Sequence, residues 1–209
     1  MMLDITKQIS NYNFSSRNGI EIKYIVIHDT GNLTDSAAGN ANYFSQGRQA
    51  SAHYFVDDNS IYQLVEDNNA SWHCGDGAGK YGITNHNSIG VEMCRVNGNV
   101  TPATEANTVE LIKYLIKKYN VILDDVRRHY DASRKNCPSS FSANNWARWD
   151  SFKQKLTGGV NMQQEVSDWA KEAQKFVIDN KISDGARPKD NMTREETWTM
   201  LHRFAKAIK

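Results

Sequence analysis

The six histidines and three cysteines of this chain are its residues best suited to hold a transition metal. A hydrolytic zinc site needs three protein ligands converging from rigid elements and one open position for water. Neutral imidazole and thiolate suit that metal. His28 closes the apolar run Tyr24-Ile25-Val26-Ile27. His129 follows Arg127-Arg128 and stands eight residues before Cys137, a spacing that lets a loop fold back and bring both to one metal. By residue type alone His53, His73 and His86 are equally eligible, and a lone histidine at a strand end is more often structural. Cys74, Cys94 and Cys137 each also fit the role of a small buried apolar residue. An odd cysteine count without an export signal points to reduced thiols rather than a disulfide framework.

The elements that must position these residues can be read from pattern. Lys23 to His28 is a β-branched and aromatic run, the mark of a buried strand. Asp35 to Gln46 reads as a helix closed near Gly47. Ser51 to Val56 and Ile61 to Glu66 read as two strands of a hairpin around Asp57-Asp58-Asn59-Ser60. Ser71 to Asn87, rich in Gly, Asn, His and Asp, is expected to be a long surface loop of the functional kind. Ile89 to Cys94 is a further apolar strand. Thr101 to Tyr119 repeats Val109, Ile112, Leu115 and Ile116 behind a Thr-Pro start, an amphipathic helix. Trp146 to Leu156 is expected to be a last helix with Trp146, Trp149 and Phe152 on one face. This alternation predicts an α/β domain with a mixed central sheet flanked by helices.

At 209 residues the chain has room for one ordinary domain and a small appendage. The domains are expected at residues 1–157 and 158–209, with Thr157-Gly158-Gly159-Val160-Asn161 as linker. The second is read as two helices, Val166 to Asn180 and Thr193 to Lys206, around the turn Ser183-Asp184-Gly185-Ala186-Arg187-Pro188. A formal net charge of +1 leaves no basic footprint for nucleic acid. The N-terminal residues show no signal peptide, and no apolar run is long enough to span a bilayer. The expectation is synthesis in the host cytoplasm, with no membrane partner.

Six segments, in order, resemble the amidase-2 family, which includes phage lysozyme-amidases and is related to peptidoglycan recognition proteins. They are Tyr24-Ile25-Val26-Ile27-His28-Asp29-Thr30-Gly31, Ser51-Ala52-His53-Tyr54-Phe55-Val56-Asp57, Ile61-Tyr62-Gln63-Leu64-Val65 and Ala70-Ser71-Trp72-His73-Cys74-Gly75. Asn87-Ser88-Ile89-Gly90-Val91-Glu92 and the stretch from His129-Tyr130-Asp131 to Asn136-Cys137-Pro138 complete the set. The resemblance covers roughly residues 20 to 157. It implies zinc bound by His28, His129 and Cys137, with Glu92 as the acid near the metal-bound water and Lys135 facing the scissile carbonyl. It implies a substrate groove lined by Trp72 and His73. At the strand Ser51 to Val56 alternation leaves either His53 or Tyr54 to face the site, and Tyr54 is taken as a substrate contact. Cys74 and Cys94 are taken as non-ligand thiols.

The implied reaction is hydrolysis of the amide between N-acetylmuramic acid and L-alanine in bacterial peptidoglycan, in an endolysin released through a holin. The alternative is a non-catalytic peptidoglycan receptor, a reading that the presence of Cys137 and Glu92 opposes. Val166 to Ala173, Lys181 to Gly185 and Met192-Thr193-Arg194-Glu195-Glu196 resemble one S-layer-homology-like repeat. That resemblance implies binding to a Gram-positive wall polymer and raises association of several copies between chains. Met162 is the position from which a separate binding fragment would start.

Overall fold

The computed structural model describes residues 2–157, 166–183 and 194–207. They form two compact units, Met1–Leu156 and Thr157–Lys209. Of the sequence expectations, linker residues 158–161, Met162, turn residues 184–188 and Met192-Thr193 lie outside the described residues.

In the first unit, strands β1 (Ile5–Lys7), β3 (Tyr24–Asp29), β4 (Tyr54–Val56), β5 (Ile61–Gln63), β7 (Ser88–Met93) and β8 (Val126–Arg128) form one sheet. Its order is β1-β5-β4-β7-β3-β8. β4 and β5 pair antiparallel, and the other neighbours pair parallel. Strands β2 (Phe14–Ser16) and β6 (Asn69–Ser71) make a separate antiparallel pair. The sheet is mixed and flanked by helices, as the sequence predicts.

Side chains alternate across a strand, so each central strand feeds two environments. One face sends Ile25, Ile27, Ile89, Val91, Tyr54 and Val56 into the main core. Helix α2 (Pro102–Tyr119) covers it with Val109, Leu111, Ile112 and Leu115, and helix α4 (Ala143–Thr157) with Trp149, Phe152 and Leu156. Thr101 caps α2 by accepting from Thr104 N at 3.1 Å, with Pro102 in the first turn, as the Thr-Pro start anticipates. The opposite face carries Phe55 against Ala37 and Ala41 of helix α1 (Ala37–Phe44), and beside them His28 and Glu92.

Five elements carry no readable sequence pattern: β1, β2, β6, β8 and helix α3 (His129–Ser133). The strands are three residues long and mix charged or hydroxyl side chains with single apolar ones, too short to show a period. In the second unit, a 3-10 turn at Asp168–Ala170 leads into α5 (Lys171–Asp179), and α6 (Arg194–Ala207) follows.

Asp67 links the hairpin to the end of α2. Its buried carboxylate accepts from Tyr54 Oη at 2.8 Å, Gln63 Nε2 at 3.1 Å, Lys118 Nζ at 2.8 Å and Tyr119 Oη at 2.5 Å. Burial opposes its ionisation, yet the Lys118, Tyr119 and Tyr54 donors outweigh burial and hold it below the usual carboxylate range. The unfolded chain therefore binds a proton more readily than the native one. The stabilisation is complete above pH ~4, the ordinary carboxylate value, and is lost as pH falls below it. Asp67→Asn is expected to cost about 1.5–3 kcal/mol at neutral pH, the range for hydrogen bonds to a charged group. Urea unfolding of both proteins from pH 7 to pH 3 should show that gap closing with acid.

Candidate metal centre

Three chain segments deliver one cluster. His28 is the fifth residue of β3, buried in the middle of the sheet. His129 opens α3 directly after β8, the strand that pairs with β3. Arg134 ends α3 in the left-handed region at φ 70°, which reverses the chain toward Cys137. The loop is then fixed at both ends: Tyr130 N donates to Cys137 O at 3.0 Å, and Ser140 N donates to Asp29 Oδ2 at 2.7 Å. One ligand atom from each of His28, His129 and Cys137 lies within 4.8 Å of the others, and all three residues are buried. Eight residues of spacing thus close into a metal-sized gap.

The ring nitrogens divide cleanly between support and site. His129 Nε2 lies 2.7 Å from Asp76 Oδ1, while its Nδ1 is buried without a partner. His28 Nε2 lies 3.0 Å from His73 Nδ1, and its Nδ1 faces Cys137 Sγ at 3.8 Å. Glu92, opposite His28 in the β3–β7 register, sets Oε1 3.8 Å from His28 Nδ1 and leaves Oε2 buried and unpartnered. Polar atoms buried this way cost several kcal/mol unless a partner satisfies them (roughly 1–3 kcal/mol each by mutational data).

The electrostatics describe the same gap. Burial first, then the neighbouring His129, His73 and Lys135 charges, holds His28 far below the ordinary imidazole value. Burial lowers His129 too, against the pull of Asp76. Both rings are therefore neutral, the form that binds metal. Burial, with Glu92 adding, drives the Cys137 thiol far up, so a thiolate here needs a cation beside it. Burial pushes the Glu92 carboxyl up to about 8, with Asp29 and Asp35 adding and Lys135 opposing. Two neutral imidazoles and a thiol converge where one divalent cation would satisfy them, with Glu92 Oε1 3.8 Å from His28 Nδ1. The donor set fits zinc, which these three residues would hold while its usual four-coordination would leave room for a water.

The profile of the Amidase_2 family, described as N-acetylmuramoyl-L-alanine amidase, matches residues 18–140, the stretch that carries all of these side chains. The chain belongs to the N-acetylmuramoyl-L-alanine amidase family. Among curated proteins it is similar to N-acetylmuramoyl-L-alanine amidase XlyA of Bacillus subtilis (strain 168), 39% identical over 65% of this chain and 44% of that one. It is 34% identical to XlyB of the same organism, over 73% of this chain and 49% of the relative. The chain thus spans about half the length of the curated relatives it matches. Among solved structures, the catalytic domain of XlyA superposes with a TM-score of 0.64 at 32% identity, covering 74% of this chain and 99% of that one. The PlyG catalytic domain gives 0.66 at 29% identity, covering 79% and 100%.

Within this amidase-family domain the expected site residues separate. His28, His129, Cys137 and Glu92 come together. Lys135 is exposed on the loop before Cys137, and its charge acts on Glu92, His28, His129 and Cys137. Trp72 is 37% exposed, with its indole N–H donating to Ser15 Oγ at 2.8 Å. Tyr54 is not a substrate contact. It is 1% exposed, and the alternation of β4 turns it into the core on the face opposite Glu92, where its hydroxyl meets Asp67. His53 takes the site face instead, yet both its nitrogens are engaged, by Gly90 N and Ser71 Oγ at Nδ1 and by Arg17 and Asn69 O at Nε2. His73 does not offer its polar atoms to a groove either: Nδ1 meets His28, and Nε2 meets Ser88 Oγ at 3.0 Å. Cys74 and Cys94 are buried free thiols outside the cluster.

Beside the cluster a cavity of about 480 Å³ runs along α1, lined by Glu92, Thr30, Asn32, Asn40, Tyr43 and Phe55. A second cavity, about 510 Å³, surrounds Asp67 on the other face of the sheet, where the Asp67 oxygens are already paired. Sequence reasoning missed Thr30, Asp76, Ser88 and Gly90. Their types are commonplace; Thr30, Ser88 and Gly90 lie inside segments singled out for other residues, whereas Asp76 falls in the Ser71 to Asn87 loop.

Cys137→Ser is expected to abolish metal binding and turnover together, whereas Glu92→Ala should keep the metal and lose about 10²–10⁴-fold in turnover. Zinc content by mass spectrometry of the purified proteins, beside a wall-lysis rate, reads both.

Proposed function

We propose that the chain is a zinc-dependent amidase that cuts the amide bond between N-acetylmuramic acid and L-alanine in bacterial peptidoglycan. The observation that carries this reading is the buried His28–His129–Cys137 triad with the Glu92 carboxyl 3.8 Å from His28 Nδ1, within a domain of the amidase family. Zinc, when bound by the triad, supplies a Lewis acid for the scissile carbonyl and a lowered pKa for the attacking water. The Glu92 carboxylate takes the proton of that water and passes it to the alanine nitrogen as the C–N bond breaks. Lys135 brings positive charge to the oxyanion that develops at the carbonyl. The cavity along α1 receives the substrate beside Glu92, and Trp72 contributes an exposed aromatic surface to the groove.

Domain 158–209 is proposed to bind a Gram-positive wall polymer as an S-layer-homology-like unit. Its described residues leave Trp169 (87%), Trp198 (62%) and Leu201 (60%) exposed, apolar side chains available to a wall ligand or to further copies of the unit. A mutant endolysin from Bacillus subtilis is 34% identical to this chain and covers 74% of it. This chain is proposed to act on the cell wall in the same role, in phage lysis after holin release. Among the described residues no helix is long and apolar enough to cross a membrane.

Digestion of purified Gram-positive peptidoglycan, before and after chelation, tests the reaction. New N-terminal alanine that requires metal, without new reducing sugar, is the expected outcome. Reducing sugar would mean cleavage of the glycan and overturn the mechanism. Binding to walls without either product would make the chain a receptor.

A further inference from the structure

Each imidazole of the triad presents Nδ1 to the site, and each is held at Nε2 by a group on the segment between residues 73 and 88. The direction of both contacts follows from groups that can only accept. At one end of the first chain is the backbone carbonyl of Thr84, which accepts from Ser88 Oγ–H at 2.5 Å. A serine hydroxyl has a single proton, so with that proton committed Ser88 Oγ must accept from His73 Nε2–H at 3.0 Å. Neutral His73 protonated at Nε2 carries a bare Nδ1, which must accept from His28 Nε2–H at 3.0 Å. The lone pair of His28 is then left at Nδ1, facing Cys137. The second chain is one step long. The Asp76 carboxylate accepts from His129 Nε2–H at 2.7 Å, leaving the His129 lone pair at the orphaned Nδ1.

Two glycines make room for these partners. A Cβ at Gly90 would stand 2.5 Å from His73 Cγ and 2.8 Å from its Nδ1, so the ring lies directly on the β7 backbone. A Cβ at Gly77 would stand 2.1 Å from Ala132 O, so the turn bearing Asp76 packs against α3, the helix that His129 opens. Thr84 is fixed in turn, exchanging hydrogen bonds with Asn87 in both directions. The segment that reads as a surface loop is thus braced against the sheet and α3 where its acceptors meet the ligand rings.

We infer that His73, through Ser88 and the Thr84 carbonyl, and Asp76 are positioning residues that fix the Nε2–H tautomers of His28 and His129, so that both bind metal through Nδ1. Partners of this kind raise ligand basicity and orient the ring, and their loss costs about 10–100-fold in metal affinity. The inference depends on the proposed reading of the triad as a metal site, and the test separates the two.

The experiment uses the full chain. In the metal-free protein, long-range proton–nitrogen NMR of the imidazoles should show His28 and His129 both as Nε2–H tautomers. Ser88→Ala should leave His28 a mixture of tautomers, and Asp76→Ala should do the same for His129. Zinc affinity, measured by competition with a chromophoric chelator, should fall about 10–100-fold in Asp76→Ala and His73→Ala. Asp76→Asn and His73→Asn keep an acceptor oxygen near the lost one and should recover to within several-fold of wild type. Nδ1–H at either ring in the wild-type chain overturns the inference. Equal loss in the alanine and asparagine variants overturns it too, since that would report packing rather than an acceptor. Wild-type chain with the expected tautomers and no zinc binding would instead sink the metal reading and leave the proton chain standing.

Discussion

The parallel register of β3 and β7 puts His28 opposite Glu92 toward the C-terminal ends of the two strands, and the rest of the site follows from that pairing. Neither side chain belongs in such a place on its own account, because burial strips both of water. The fold meets this cost unevenly. On the outer side every donor has an acceptor, through His73, Ser88 and Asp76. On the inner side His129 Nδ1 and Glu92 Oε2 have none. A structure that satisfies buried polar atoms with care on one side and leaves them bare on the other has shaped a place for something it does not itself supply.

That contrast orders the remaining elements by what they hold. α2 and α4 fill one face of the sheet with apolar side chains and make the strands rigid. β8 pairs with β3 and so delivers His129 to the height of His28. Asp29, next in the chain after His28, anchors the loop that returns Cys137 through Ser139 and Ser140. The hairpin of β4 and β5 is secured from the far side by Asp67, which joins Tyr54 to Lys118 and Tyr119. Ligands thus come from rigid strands and short bridges, as precise metal geometry requires.

Much of this was legible in the sequence. Long apolar runs such as Tyr24 to His28 and the helical repeat of Val109, Ile112 and Leu115 announced their elements because a whole face of each is buried. The four residues gathered at the gap, His28, Glu92, His129 and Cys137, were named from residue type, spacing and family resemblance. Tyr54 was misread because strand alternation gives two faces without saying which one holds the site; its polar hydroxyl is satisfied by a buried aspartate 13 residues on. The resemblance implies a groove role for His73, whereas its two nitrogens serve the interior. Ser88 lies in a family-like segment and Asp76 does not, and what distinguishes both is an acceptor in the right place, which no spacing encodes.

The central claim is that His28, His129 and Cys137 together hold one zinc ion with a position left open. X-ray absorption at the zinc edge of the metal-loaded chain tests it most directly. The account predicts one sulfur neighbour at ~2.3 Å, two imidazole nitrogens at ~2.0–2.1 Å and one further light atom from solvent. Absence of sulfur from the coordination shell, or two sulfurs within it, would contradict it.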